Sequence, residues 1–231
     1  MRKFVLLLFT FTFSLLTQLP AQDMTILVMK VKAKLDRVND YEAEGKMKTD
    51  VAFIKAPIGK IKVYYKKPNK FRLKKDGGIS LLPKGGVSVN MNTIFTTTGF
   101  VALAAGEALI EGTNTKVVKL LPTNENNDVV LTTLYIDEPN LLVRKAMITT
   151  KENGTYTIEM GYGKYVEYGL PDKVIFGFNT KDYYLPKGIT LEFGEDKPVS
   201  EADKLKNKKG KVEITYTNYI INKGIPDSVF K

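Results

Sequence analysis

From Tyr41 onward the chain is written largely in period two. "GKMKTDVAF" sets Met47, Thr49, Val51 and Phe53 against Lys46, Lys48 and Asp50. The run "KIKVYYKKPNKFRLKK" at residues 60–75 sets Ile61, Val63 and Tyr65, then Phe71 and Leu73, against lysines and an arginine. Successive side chains of a strand point to opposite faces, so this spelling dictates strands with one apolar and one basic face. "KPNK" interrupts it, because Pro68 cannot donate to a ladder and Asn69 suits a turn. Further alternating runs fall at 115–121, 129–136, 141–150, 155–160, 164–168, 173–178, 189–193 and 211–221. In "AMITTKENGTYTIEM", Asn153-Gly154 supply the positive φ angles of a two-residue hairpin turn. "LPKGG" at 82–86 and the charged stretch 195–211 read as loops.

One segment follows a different period. Met24, Val28, Val31, Leu35 and Val38 recur at intervals of four and three, with Ile26 and Leu27 widening the stripe. Lys30, Lys34 and Arg37 fall mostly away from it, which predicts an amphipathic helix over 24–39 with Asp23 as its N-cap. One helix followed by many short antiparallel strands predicts a mainly β (α+β) fold. The expected form is a strongly curved sheet or open barrel with the helix packed on it, and a β-sandwich is the competing architecture.

The first residues carry an address. Arg2 and Lys3 precede an apolar run from Phe4 to Leu19, then Pro20 and the small residue Ala21. That order spells a secretory signal peptide over 1–21, cut between Ala21 and Gln22. The run is short for a membrane span of about 20 residues. Residues 94–110 come nearest to a second span, but Thr96, Thr97, Thr98, Gly99, Gly106 and Glu107 argue against it. Residues 22–231 are therefore expected to form one exported, soluble domain.

The chain contains no Cys, His or Trp. Nucleophile–His pairs, histidine or cysteine metal sites and disulfides are excluded within one chain. No cofactor is expected, and no acylated N-terminal Cys is possible. Two carboxylate pairs remain. Glu107 and Glu111 lie one turn apart if 100–111 is helical, and Asp137-Glu138 sit in "IDEPN". A solvated face explains the first and an ordinary turn the second, so no catalytic residue is assigned and a protein that is not an enzyme is expected. "GYGKY" at 161–165 lacks phosphate-loop spacing and reads as a strand bend with aromatic packing. Lys and Arg total 35 against 25 Asp and Glu. On the strands these cations alternate with apolar residues, as an outer solvated face does; nucleic-acid binding needs a focused patch with stacking aromatics.

The other face is the informative one. Met47, Val51, Phe53, Ile61, Val63, Tyr65, Phe71, Leu73, Leu134, Ile136, Ile158 and Met160 would all point inward on a curved sheet. Val28, Val31, Leu35 and Val38 would face them from the helix. Such a face is either filled by side chains or left hollow for an apolar ligand under a lid, and the residues alone leave both open.

In order along the chain, "VKAKLDRVNDYEAEGKMK" and "GKIKVYYKKPNKFRLKK" resemble the start of the LolA-type periplasmic lipoprotein carriers. Leu35, Val38, Tyr41 and Ala43 match the family's helix-end signature, and Lys67, Pro68 and Phe71 its basic-Pro-x-x-Phe turn. "LYIDEPNLLVRKAMI" and "LPDKVIFGF" resemble later strands of that family. The resemblance implies an unclosed antiparallel half-barrel of about eleven strands, a helical lid and an apolar cavity for acyl chains. It implies a periplasmic, monomeric carrier of acylated lipoproteins or lipids, with an inner-membrane donor, an outer-membrane acceptor and no nucleic acid; a lipid or lipoprotein sensor is the alternative role. The family holds its lid with an Arg before the Pro, where this chain has Lys67, so Lys67 and Pro68 are the expected rim and latch. The family's Trp-containing strand is replaced by "KKDGGISLLPKGGVSVNMN", which keeps Asp76-Gly77 without a Trp.

Overall fold

A computed structural model describes residues 24–50, 58–76, 99–152, 154–179 and 209–231. The signal peptide, Asp23, Val51, Phe53, Asn153, the 189–193 run, the 82–86 loop and residues 195–208 of the charged stretch lie outside them.

Helix α1 spans Met24–Leu35 and buries Met24, Leu27, Val28, Val31 and Leu35. It stops short of Asn39, because Arg37 N–H and Val38 N–H turn back to the carbonyls of Lys34 and Leu35 in tighter i to i+3 bonds. Val38 is buried beyond the helix end, whereas Ile26 faces outward at 56% exposure instead of widening the stripe.

Ten strands follow: β1 Asp40–Asp50, β2 Gly59–Lys66, β3 Lys70–Lys75, β4 Phe100–Ile110, β5 Thr113–Pro122, β6 Val129–Asp137, β7 Leu142–Thr150, β8 Gly154–Gly161, β9 Lys173–Asn179 and β10 Lys209–Ile221. They form one antiparallel sheet in the order β3-β2-β1-β10-β9-β8-β7-β6-β5-β4, with β3 and β4 as its two ends. The described sheet is therefore unclosed, which excludes the sandwich, and its ten described strands accord with the expected half-barrel of about eleven. Bulges at Glu44/Gly45, Ala104/Glu107, Val129/Leu131 and Tyr135/Ile136 add the local twist a curved sheet needs. At the first of these only glycine fits: a Cβ on Gly45 would lie 2.4 Å from the Thr215 carbonyl oxygen.

Four local expectations are corrected. Residues 100–110 are strand β4, and the turn that closes it takes positive φ at Glu111 (46°) and Gly112 (79°), as a two-residue hairpin requires. Residues 164–168 leave the sheet in a turn and a short 3₁₀ segment, Val166–Tyr168. Thr150 pairs with Gly154, so three residues separate β7 from β8, and Gly154 carries the positive φ of 65°. The strand β10 also begins two residues earlier than the charged stretch suggested, at Lys209.

Beyond β10 the chain folds back over the basic face. Asn222 accepts from Asn39 N–H at 2.7 Å and donates to the Arg37 carbonyl at 2.9 Å. Asp40 receives the Lys223 and Gly224 amides at 3.1 and 2.9 Å. Asp227 then reaches the outside of the β2–β3 hairpin.

Candidate functional site

The concave face is assembled row by row from cross-strand partners. Val118, Leu134, Ala146, Ile158, Phe176, Val212 and Thr49 form one row across seven strands. Met160, Val174, Ile214 and Met47 form the next. Toward the other end, Tyr219, Ala43, Val63 and Leu73 align, then Ile221, Tyr41, Tyr65 and Phe71. Period two alone puts these residues on one side. Apart from Thr49, they make a single apolar cluster with α1.

The sequence-derived residues fall where period two sends them. Met47, Ile61, Val63, Tyr65, Leu134, Ile136, Ile158 and Met160 are buried, and Phe71 and Leu73 are half-buried beside the edge. From the helix side Val28, Val31, Leu35 and Val38 are buried in the same cluster. Val28 is 0% and Val31 1% exposed, so α1 is seated on the sheet and not merely near it.

Sequence reasoning missed an aromatic pole at the end where α1 stops. Tyr41 lies 5.3 Å from Tyr65 and 5.4 Å from Tyr219, and Tyr219 lies 5.1 Å from Tyr216 and 4.9 Å from Tyr165. The small residues Ala43 and Gly45 on β1 stand directly opposite Tyr219 and Tyr216. Burial pushes the phenols of Tyr41, Tyr216 and Tyr219 above the ordinary tyrosine value, so they stay neutral. Tyr219 Oη donates to the Pro171 carbonyl at 2.8 Å. The repeated Tyr in "TYTNY" was the available signal.

Several polar ties hold α1 at this same end. Lys67, which precedes Pro68 across a cis peptide bond, donates from Nζ to the Asp36 carbonyl and to Asn39 Oδ1 at 3.3 Å. Lys34 Nζ donates to the Asn140 carbonyl at 2.8 Å. That carbonyl belongs to the β6–β7 turn, which is organised by Asp137. Its carboxylate takes Arg144 at 2.7 Å and the Asn140 side chain at 3.0 Å. Burial works to raise the Asp137 value, but Arg144 and Asn140 outweigh it and hold the group below the usual carboxylate range. Asp137 is thus a turn anchor in contact with the lid support.

The other carboxylate candidate also has a structural role. Glu107 pairs with Lys116 on the neighbouring strand at 2.5 Å, and Glu111 sits in the hairpin turn. Strand geometry does not bring them one helical turn apart.

Several convex cations are matched. Lys66 and Lys70 stand directly opposite each other, an unfavourable arrangement for like charges. Asp227 bridges them, 2.8 Å from Lys66 and 2.7 Å from Lys70. Lys62 meets Glu44 at 2.8 Å, Lys173 meets Glu213 at 3.1 Å, and Arg72 donates to the Val229 and Lys231 carbonyls. This charge pairing is not the focused, aromatic-lined patch a nucleic acid uses.

No protein-family model matches the chain, and no curated protein matches it significantly. Solved structures do. A DUF1329 family protein from Desulfovibrio piger ATCC 29098 superposes with a TM-score of 0.56 at 12% identity, over 92% of this chain and 97% of that one. A putative outer membrane lipoprotein-sorting protein domain from Vibrio parahaemolyticus gives 0.55 at 10% identity, over 89% and 94%. The LolA superfamily protein NE2245 from Nitrosomonas europaea gives 0.51 at 12% identity, over 88% and 97%. The chain therefore has the open, helix-covered β architecture of LolA-like proteins. Identities this low establish the fold and leave the cargo to be argued from the site.

Proposed function

We propose that residues 22–231, released by a signal peptidase, form a monomeric periplasmic carrier that takes acyl chains of lipoproteins, or of lipids, onto the concave face of the sheet. The observation that carries this reading is the apolar rows of that face, broken by a single threonine, and covered by one amphipathic helix with polar ties at its C-terminal end. No chemistry is required of it. Likeness of fold to a lipoprotein-sorting domain supports the choice of cargo.

Magnitudes make such a carrier workable. Lifting α1 exposes five buried apolar side chains, at about 2 kcal/mol each, or roughly 10 kcal/mol. Burying an acyl chain of about sixteen carbons returns about 0.8 kcal/mol per CH₂, or roughly 12 kcal/mol. The helix and the chain exchange places near balance. A carrier needs that balance, because cargo held by the full burial energy would not leave. An inner-membrane donor and an outer-membrane acceptor need only tip it.

Native mass spectrometry of the protein recovered from its own envelope, followed by solvent extraction, tests the reading. A defined added mass that resolves into an acylated peptide or lipid supports it. Failure to take up an added acylated peptide as well would refute it. The same spectrum reads the mature N-terminus, expected at Gln22.

A further inference from the structure

Thr49 breaks the apolar rule of the concave face. It lies on β1 in the row with Val212 and Phe176, two residues beyond Met47, and is only 7% exposed. Its Oγ1 is buried without any hydrogen-bond partner, the single such side-chain atom among the described residues. Native structures leave few buried polar groups unsatisfied, since each forfeits its hydration without replacement. A valine at this position would have the same shape and none of that cost. A β-branched residue suits the strand, so the hydroxyl alone calls for an explanation.

Position suggests what the hydroxyl is for. Thr49 is about 26 Å along β1 from Tyr41 at the far side of the tyrosine pole, at a strand rise of about 3.3 Å per residue. At Thr49's end of the sheet the chain leaves β1, β3 and β9 and re-enters β2, β4 and β10, so its two longest connections depart there. The opposite end carries the shorter connections 67–69, 111–112, 138–141 and 162–172 and the tied end of α1. A chain lying along the face would therefore have its polar end near Thr49 and its hydrocarbon toward the tyrosines.

We infer that Thr49 Oγ1 is a hydrogen-bond donor to the carbonyl of a long-chain carboxylic ester bound on the concave face. This rests on the carrier reading and adds the linkage the site recognises. Glycerophospholipids and diacylglyceryl lipopeptides share that ester, and ether-linked analogues of equal chain length lack its carbonyl. The test compares Thr49→Val with the unaltered protein against four probes. They are a dipalmitoyl phospholipid, its di-ether analogue, a dipalmitoylglyceryl-cysteine peptide and the ether form of that peptide.

The unaltered protein should prefer ester over ether by about three- to tenfold, the worth of one hydrogen bond, and Thr49→Val should lose that preference while binding the ethers equally well. Whichever ester shows the preference identifies the source. An unchanged ester-to-ether ratio in Thr49→Val overturns the inference and leaves the carrier reading standing; binding of none of the four probes removes both. The empty variant should melt no lower than the parent, because an orphan hydroxyl has been replaced by a methyl. A clear fall in Tm would mean that the hydroxyl is already satisfied, and would overturn the inference independently.

Discussion

Lys67 donates its ammonium to the backbone carbonyl of Asp36, the first residue past the end of α1. A cation at a helix C-terminus meets unsatisfied carbonyls and the negative end of the helix dipole, so the contact is favourable twice over. Replacing it with Lys67→Met should lower the unfolding free energy by about 1 kcal/mol and speed amide hydrogen exchange across α1. Lys67→Arg keeps the charge and should keep α1 protected. Unaltered exchange in Lys67→Met would show that this bond does not restrain the helix.

Phe71 gives access to the face without threatening the fold. It is half-buried on the end strand β3, whereas Ile61, four residues along β2 from Phe71's partner Tyr65, is 3% exposed. Phe71→Glu should retain the β-rich circular dichroism spectrum and lose acyl uptake. Ile61→Glu should compromise folding itself, because an unpaired carboxylate there is buried. Full uptake by a folded Phe71→Glu variant would place the acyl chain elsewhere.

The C-terminal strap should respond to acid. Lys66 and Lys70 draw the Asp227 value down from 3.8 to about 2. A carboxylate with a depressed folded value contributes fully above its unfolded value and loses that contribution as pH falls through the folded one. Residues 222–231 should thus be protected from hydrogen exchange at pH 5 and released as pH drops from about 4 toward 2. Asp227→Asn should show the released pattern at neutral pH. Equal protection of that variant would mean that Arg72 and the tail carbonyls suffice.

Arg144 is the counter-ion of a buried carboxylate. Arg144→Met leaves Asp137 paired only by Asn140, and should cost about 2–4 kcal/mol in a denaturant titration. Because Asn140 also supports Lys34, the variant should loosen α1 as well. A loss below 0.5 kcal/mol would show that solvent reaches Asp137 readily.

Much of this architecture is spelled in period two, and the parts that are not have identifiable causes. Ile61, Val63 and Tyr65 alternate with Lys60, Lys62, Tyr64 and Lys66, so their face was legible without any structure. Strand β4 was not, because "FVALAAGEALI" is rich in Ala and Gly, residues depleted in strands, and its bulge at Ala104/Glu107 breaks the period. Residues 164–168 read as an alternating run, yet they form a turn and a 3₁₀ segment that ends at Gly169 in a left-handed conformation, φ 67°. The tyrosine pole, the Asp227 bridge and the unpartnered Thr49 hydroxyl all depend on contacts between residues far apart in sequence. No local pattern records them.

A photoactivatable acyl probe, with a diazirine near the end of its chain, tests the central claim most directly. After irradiation and peptide mapping, adducts are expected on concave residues toward the tyrosine end, such as Val63, Leu73, Tyr65 and Tyr219, and they should be competed away by unlabelled acylated peptide. Adducts confined to the exposed apolar side chains Ile26, Met29, Val101 and Leu103, with none on the concave face, would contradict it.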